Sequence, residues 1–145
     1  MKIIKLNKNL IEKLKKKAFK SKLKRSRICA HKSDKDKIHE MFVCLHNDTY
    51  VAPHFHKNKT ESYHIIEGKV DIYFFNKKGK VKKKILLNAK SKNQNFYLRL
   101  GPNIFHTLVP KTKYVIFHEV TDGPFNKKEN KFSQMEIFKK KRFKL

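Results

Sequence analysis

Pro53-His54-Phe55-His56-Lys57-Asn58-Lys59-Thr60-Glu61-Ser62-Tyr63-His64-Ile65-Ile66-Glu67-Gly68 holds two histidines two positions apart, a glutamate five positions further on, and a closing glycine. Side chains alternate across an extended strand, so the imidazoles of His54 and His56 leave from one face and form a chelating pair. The four residues between His56 and Glu61 suffice for a short loop that starts the next strand and returns a carboxylate to the same pocket. Ordinary core or surface histidines are the alternative, and the register of Glu61 with the pair argues against it.

Outward from this stretch the pattern is that of short β-strands. We expect strands near Glu40 to His46, Tyr50 to Ala52, Glu61 to Ile66, Lys69 to Phe75, Val81 to Leu87, Phe96 to Leu100, Ile104 to Val109 and Val115 to Val120. Each is rich in β-branched and aromatic residues and is bounded by turn formers, and eight such runs predict a jelly-roll barrel. Glu67-Gly68 reads as a tight hairpin turn, Asn76-Lys77-Lys78-Gly79 as a second hairpin, and Gly101-Pro102-Asn103 as a strand breaker. Upstream, Leu10, Ile11, Leu14, Ala18 and Phe19 recur every three to four residues within Asn7 to Lys20, an amphipathic helix that packs on the barrel. The chain divides into 1–37, a helix and lead-in; 38–125, the barrel; and 126–145, a basic tail in which Phe132, Met135, Ile137 and Phe138 would dock over it.

The formal net charge is +25 over 145 residues, a balance that raises nucleic acid or an anionic membrane surface as a partner. Two features argue against nucleic acid. Arginine occurs only at Arg25, Arg27, Arg99 and Arg142, so 37 basic residues less 4 leaves 33 lysines, a skew that reflects compositional drift. The lysines are also scattered, over Lys13 to Lys24, Lys77 to Lys84 and Lys139 to Lys144. No apolar run reaches the ~18 residues of a transmembrane helix, and the N-terminus lacks the apolar core of a signal peptide, so a cytoplasmic protein is expected. Cys29 and Cys44 are then expected to be reduced, buried thiols.

His106 lies on a later strand, where Ile104 and Leu108 would share its face and line an apolar interior, which makes it the candidate fourth ligand. Three imidazoles and a carboxylate suit Fe(II), Mn(II), Ni(II), Co(II) or Zn(II), with one or two positions left for water or substrate. His64 should point away from Glu61, and one of His118 and Glu119 should approach the pocket. We name Tyr63, Arg99 and His118 as candidate substrate contacts. Core packing for Tyr63 and a surface salt bridge for Arg99 are the plainer roles. His31 beside Cys29 is a weak metal pattern, better read as a structural hydrogen bond. No glycine-rich phosphate loop or nucleophile elbow is present.

Pro53 to Gly68 resembles the first motif of the cupin superfamily in residue type and spacing. The second motif, usually proline, glycine and then histidine, is half met: the corresponding residues here are Gly101, Asn103 and His106, and Pro110 stands where asparagine is usual. Arg25 to His31, His39-Glu40-Met41-Phe42, Thr49-Tyr50-Val51, Glu61-Ser62, His106-Thr107-Leu108, Phe117 to Thr121 and Gly123-Pro124-Phe125 are more narrowly similar to the WbuC family of cupin-fold metalloproteins. Phe55 departs from that family, where a basic residue commonly separates the histidines, as does Met135 near a Trp-Ala-Pro segment. The resemblance implies a mainly β cupin double-stranded β-helix with an N-terminal α-helix, one divalent metal on His54, His56, Glu61 and His106, and a homodimer. It also implies a sugar-like ligand in surface polysaccharide (O-antigen, lipopolysaccharide) biosynthesis.

Three functions are compatible with these residues. The first is a metal-dependent sugar or nucleotide-sugar isomerase or epimerase, and the second an oxygen-activating iron cupin of the dioxygenase type. The third is a non-catalytic sugar-binding module braced by its metal.

Overall fold

The computed structural model describes residues 3–126. One helix, α1 (Lys8–Lys20), precedes eight strands: β1 (Arg25–Cys29), β2 (Ile38–His46), β3 (Glu61–Glu67), β4 (Lys69–Phe75), β5 (Val81–Asn88), β6 (Tyr97–Leu100), β7 (His106–Pro110) and β8 (Tyr114–Asp122). They form a five-stranded sheet in the order β1-β2-β8-β3-β6 and a three-stranded sheet in the order β5-β4-β7. Every ladder is antiparallel. No helix among the described residues is long and apolar enough to cross a membrane.

The two sheets meet face to face because each presents an apolar side at every second residue. In β3, Glu61, Tyr63 and Ile65 are buried, whereas His64 and Ile66 are exposed. Leu45, Tyr63, Ile65, Leu100, Val115 and Phe117 of the larger sheet pack on Val70, Ile72, Leu87 and Leu108 of the smaller one. Burying one such aliphatic side chain contributes about 1.5–3 kcal/mol, so this interior is the main stabilising mass of the domain.

The helix covers the outer face of the larger sheet. Asn7 caps it, its side-chain oxygen accepting from the Leu10 N–H at 3.0 Å, and Lys17 and Lys20 lie at the negative end of the helix dipole. Its apolar stripe, Leu14 and Ala18 with Ile11, rests on Cys44, Ile116 and Ile28. Ser26 of β1 donates its hydroxyl to the Leu14 carbonyl at 2.7 Å, which fastens the helix to the sheet edge.

The expected jelly roll and helix are present, with differences in their parts. Arg25–Cys29 is a strand that its polar pattern concealed: at the sheet edge only the face toward the helix needs apolar residues, and Ile28 supplies it. This edge strand belongs to the larger sheet although it lies within the 1–37 lead-in. Tyr50 to Ala52 forms no strand. The segment leads to buried Pro53, which has no N–H to give a ladder.

Glu67-Gly68 does not make a hairpin either, since β3 and β4 belong to different sheets. Gly68 turns this corner with φ +85°, and a Cβ there would collide with the Tyr114 carbonyl oxygen. The Asn76 to Gly79 turn is a true hairpin, closed by Gly79 N–H to Asn76 O at 2.9 Å. The anticipated docking of Phe132, Met135, Ile137 and Phe138 lies outside the described residues.

Both cysteines are free, but only Cys44 is buried, and Cys29 is exposed on the edge strand. Burial under the helix pushes the Cys44 thiol up to about 12. A maleimide at pH 7 should therefore label one thiol in the native protein and two after denaturation, with native Cys29→Ser remaining unlabelled. Rapid native labelling of Cys44 would contradict this packing.

Candidate metal centre

Glu61 opens β3 in the larger sheet and His106 opens β7 in the smaller one, so the cluster joins the two sheets at one end of the barrel. His54 and His56 lie in the segment before β3 and not in a regular strand, contrary to the expectation. His54 nevertheless pairs with His106 through reciprocal backbone hydrogen bonds, each 2.9 Å. The Thr107 hydroxyl donates to the Val51 carbonyl, and Asn103 N–H donates to His56 O at 2.9 Å. Asn58, at φ +57°, turns the chain back toward Glu61. The local backbone is extended at the histidines, so the i, i+2 geometry holds without a ladder.

The four side chains converge. His106 Nε2 lies 3.2 Å and His56 Nε2 3.5 Å from Glu61 Oε2. The His54 ring centroid is 4.5 Å from that of His106 and 5.2 Å from that of His56. One nitrogen or oxygen from each residue falls within 4.8 Å of all the others. Donors bound to one ion at about 2.0–2.2 Å are some 3–4 Å apart, so the cluster needs only a small contraction to close on a metal.

Hydrogen bonding has already chosen the tautomers. His54 Nδ1 is 2.8 Å from Ala52 O, and His106 Nδ1 is 2.9 Å from Ile104 O. A carbonyl can only accept, so both Nδ1 atoms carry hydrogen and both Nε2 atoms are free to present a lone pair. Such outer hydrogen bonds are what orient metal-binding imidazoles. Glu61 Oε2 is buried and lacks a hydrogen bond of acceptable geometry despite its two nitrogen neighbours. A carboxylate oxygen facing imidazole lone pairs calls for a cation between them, and these residues fit a divalent metal on that ground.

The electrostatics of the cluster agree. Burial, reinforced by neighbouring His106, lowers the His54 pKa to about 4, leaving a neutral ring at physiological pH. Burial alone would raise Glu61, but the imidazoles of His106 and His56 beside it outweigh that and hold the carboxyl well below its usual range. Glu119 is shifted the other way, well upward, first by burial and then by the charge of neighbouring Glu61. Tyr63 is also raised by burial and then by the two carboxylates.

Of the proposed substrate contacts, Tyr63 alone reaches the cluster, its hydroxyl 3.0 Å from His106 Nε2. His118 does not. It pairs with His64 in the β3–β8 ladder, stacks on Phe42 at 4.7 Å and lies 3.6 Å from Glu40, all on the outer face. Arg99 pairs with Ser62 on that same exposed side and cannot contact the cluster. Ile104 is exposed and precedes β7, leaving Leu108 to line the interior. His31 makes a structural contact, Nδ1 to Glu40 O at 3.0 Å. Glu119 is the residue that enters the pocket. It pairs with Tyr63 across β3 and β8, and period-two alternation allowed it or His118 without showing which until that register was known. A cavity of about 110 Å³ opens beside the cluster, lined by His39, Met41, Phe55, His56, Glu119 and Thr121 among others.

Solved structures with the same architecture include a cupin superfamily protein and a double-stranded β-helix protein. A cupin superfamily protein from Desulfitobacterium hafniense is 16% identical, with 68% of this chain aligned to 76% of that one at a TM-score of 0.52. A double-stranded β-helix protein from Klebsiella pneumoniae aligns over the same shares, 16% identical, at 0.51. The L-ribose isomerase of Cellulomonas parahominis is 11% identical at 0.55, the alignment spanning 68% of this chain and 60% of the isomerase. At these identities the likeness is one of fold, and it defines a cupin double-stranded β-helix. Residues 6–87 match the domain of unknown function DUF6016, and the chain belongs to that family. No curated protein matches the sequence.

The depressed His54 pKa makes stability depend on pH. The unfolded ring takes up a proton near 6.5, whereas the folded one resists until about 4. Stability present above the first value is therefore lost as pH falls toward the second. Thermal melts of metal-free protein from pH 7 to 4 should show a shallower decline for His54→Asn than for the wild type, and parallel declines would contradict the assignment.

Proposed function

We propose that the chain binds one divalent transition metal through His54, His56, Glu61 and His106 and acts on a sugar or nucleotide sugar with isomerase- or epimerase-like chemistry. The convergence of four donors around an unpartnered buried carboxylate oxygen carries this reading. Resemblance to the WbuC family supports a role in surface polysaccharide assembly, and the shared fold of L-ribose isomerase is consistent with the reaction type. We propose a homodimer as well, since β1 has a ladder partner on one side only.

When bound, the metal would act as a Lewis acid toward a carbonyl or hydroxyl oxygen of the substrate. His54 and His106 enter with their ring orientation fixed by the Ala52 and Ile104 carbonyls. Glu119 lines the cavity and, with its carboxyl shifted well upward, is placed to give a proton to the substrate and take it back. The Tyr63 hydroxyl, buried beside His106, is placed to hydrogen-bond an oxygen that gains charge.

Stoichiometric Co(II) or Zn(II) should raise the melting temperature. A ligand at a thousand times its Kd stabilises by about 4 kcal/mol. His54→Ala and Glu61→Gln should abolish the rise, and the outward-facing His64→Ala should retain it. Loaded protein in D2O should exchange deuterium into an aldose, ketose or nucleotide sugar at the carbon beside the carbonyl, with Glu119→Gln slower by about 10²–10⁴-fold. Exchange that survives removal of the metal, or loaded protein inert toward all three classes, would overturn the catalytic reading.

A further inference from the structure

We infer that the cavity beside the cluster takes a ligand bearing a phosphoryl group, held by Lys57, which lines the cavity, and by Arg27, which reaches the lining residue Met41. This rests on the metal-site reading for the ligand's other end. Lys57 follows His56 directly and lines the cavity. It is exposed, and the left-handed turn at Asn58 fixes the segment that carries it. Its neighbour Lys59 is occupied, donating to the Pro124 carbonyl at 2.5 Å. Among the described residues, Lys57 has no ion pair.

Arg27 belongs to β1, the strand next to the one that carries the lining residues His39 and Met41. Ser26 and Ile28 of β1 turn toward the helix, so the alternation of the strand sends Arg27 to the inner side of the sheet. Its Nη1 is 3.7 Å from the sulfur of Met41, a residue that lines the cavity, and its charge is felt by Glu119. A thioether is a weak acceptor for a guanidinium with five N–H groups, which leaves most of the fork free. In a chain with 33 lysines and 4 arginines, a guanidinium here supplies what an ammonium does not, a planar pair of donors matched to phosphoryl oxygens.

The remaining lining fits a phosphorylated sugar better than a bare anion. Phe55 and Phe125 offer apolar surfaces for the C–H face of a ring, and the Thr121 hydroxyl, which donates to the Thr60 carbonyl at 2.9 Å, keeps its oxygen as an acceptor. Of the acidic lining residues, Asp122 is engaged, accepting from Thr60 N–H at 2.8 Å. The excess of lysines over the whole surface would also draw an anion toward the mouth.

The test is calorimetric titration of protein stoichiometrically loaded with Zn(II), using inorganic phosphate, glucose 1-phosphate and glucose as probes. Glucose 1-phosphate should bind more tightly than glucose. Lys57→Ala and Arg27→Ala should each weaken both phosphate probes about tenfold or more, the loss of one charge-assisted contact. Lys16→Ala on the exposed face of the helix should change neither, and metal loading should be equal in all variants. A wild type that fails to load overturns the metal reading. Loaded protein that binds no phosphate, or whose affinity falls equally in Lys16→Ala, overturns this inference alone.

Discussion

The reciprocal backbone hydrogen bonds between His54 and His106 are the constraint on which the site depends. Without them the segment before β3 would be held only at its flanks, by Thr107 at Val51 and Asn103 at His56, because Pro53 cannot extend a ladder and Asn58 turns the chain soon after. With them, two residues more than fifty positions apart share one backbone geometry, and their rings follow. The pairing also spans the domain's two layers, since the segment continues into the larger sheet and β7 belongs to the smaller. The barrel end is therefore closed by the same contacts that assemble the candidate ligands.

Within this frame the buried polar groups are interdependent. Two backbone carbonyls hold hydrogen on the outer nitrogens of His54 and His106, so their inner nitrogens face Glu61 as acceptors. Buried polar atoms of like character are costly when nothing lies between them. The Tyr63 hydroxyl answers part of that cost at His106. A metal ion would satisfy the remainder, which gives the cluster a physical reason to bind one beyond the likeness of its fold to that of cupins.

Much of this was legible in the sequence, for reasons that particular residues make clear. The spacing of His54, His56 and Glu61 implies convergence whether the segment is a strand or merely extended, so misjudging its ladder did no harm to the site. Gly68 marked a tight reversal correctly, but nothing local distinguishes a hairpin from a corner between sheets, and pairing partners decide which it is. Arg25–Cys29 escaped notice because an edge strand can be largely polar. The choice between His118 and Glu119 turned on the register between β3 and β8, a long-range quantity that alternation alone cannot supply. Lys57 was hidden by the composition itself, since one lysine among 33 carries no signal until the cavity it borders is seen.

The central claim is that these four residues hold one metal ion. X-ray absorption spectroscopy of the purified protein, combined with elemental analysis, tests it most directly. We predict one divalent transition metal per chain, with nitrogen and oxygen neighbours at about 2.0–2.2 Å, the outer scattering of three imidazoles, and no sulfur at about 2.3 Å. A protein that retains no metal after loading with stoichiometric ion, or a bound metal with sulfur in its first coordination sphere, would contradict the claim.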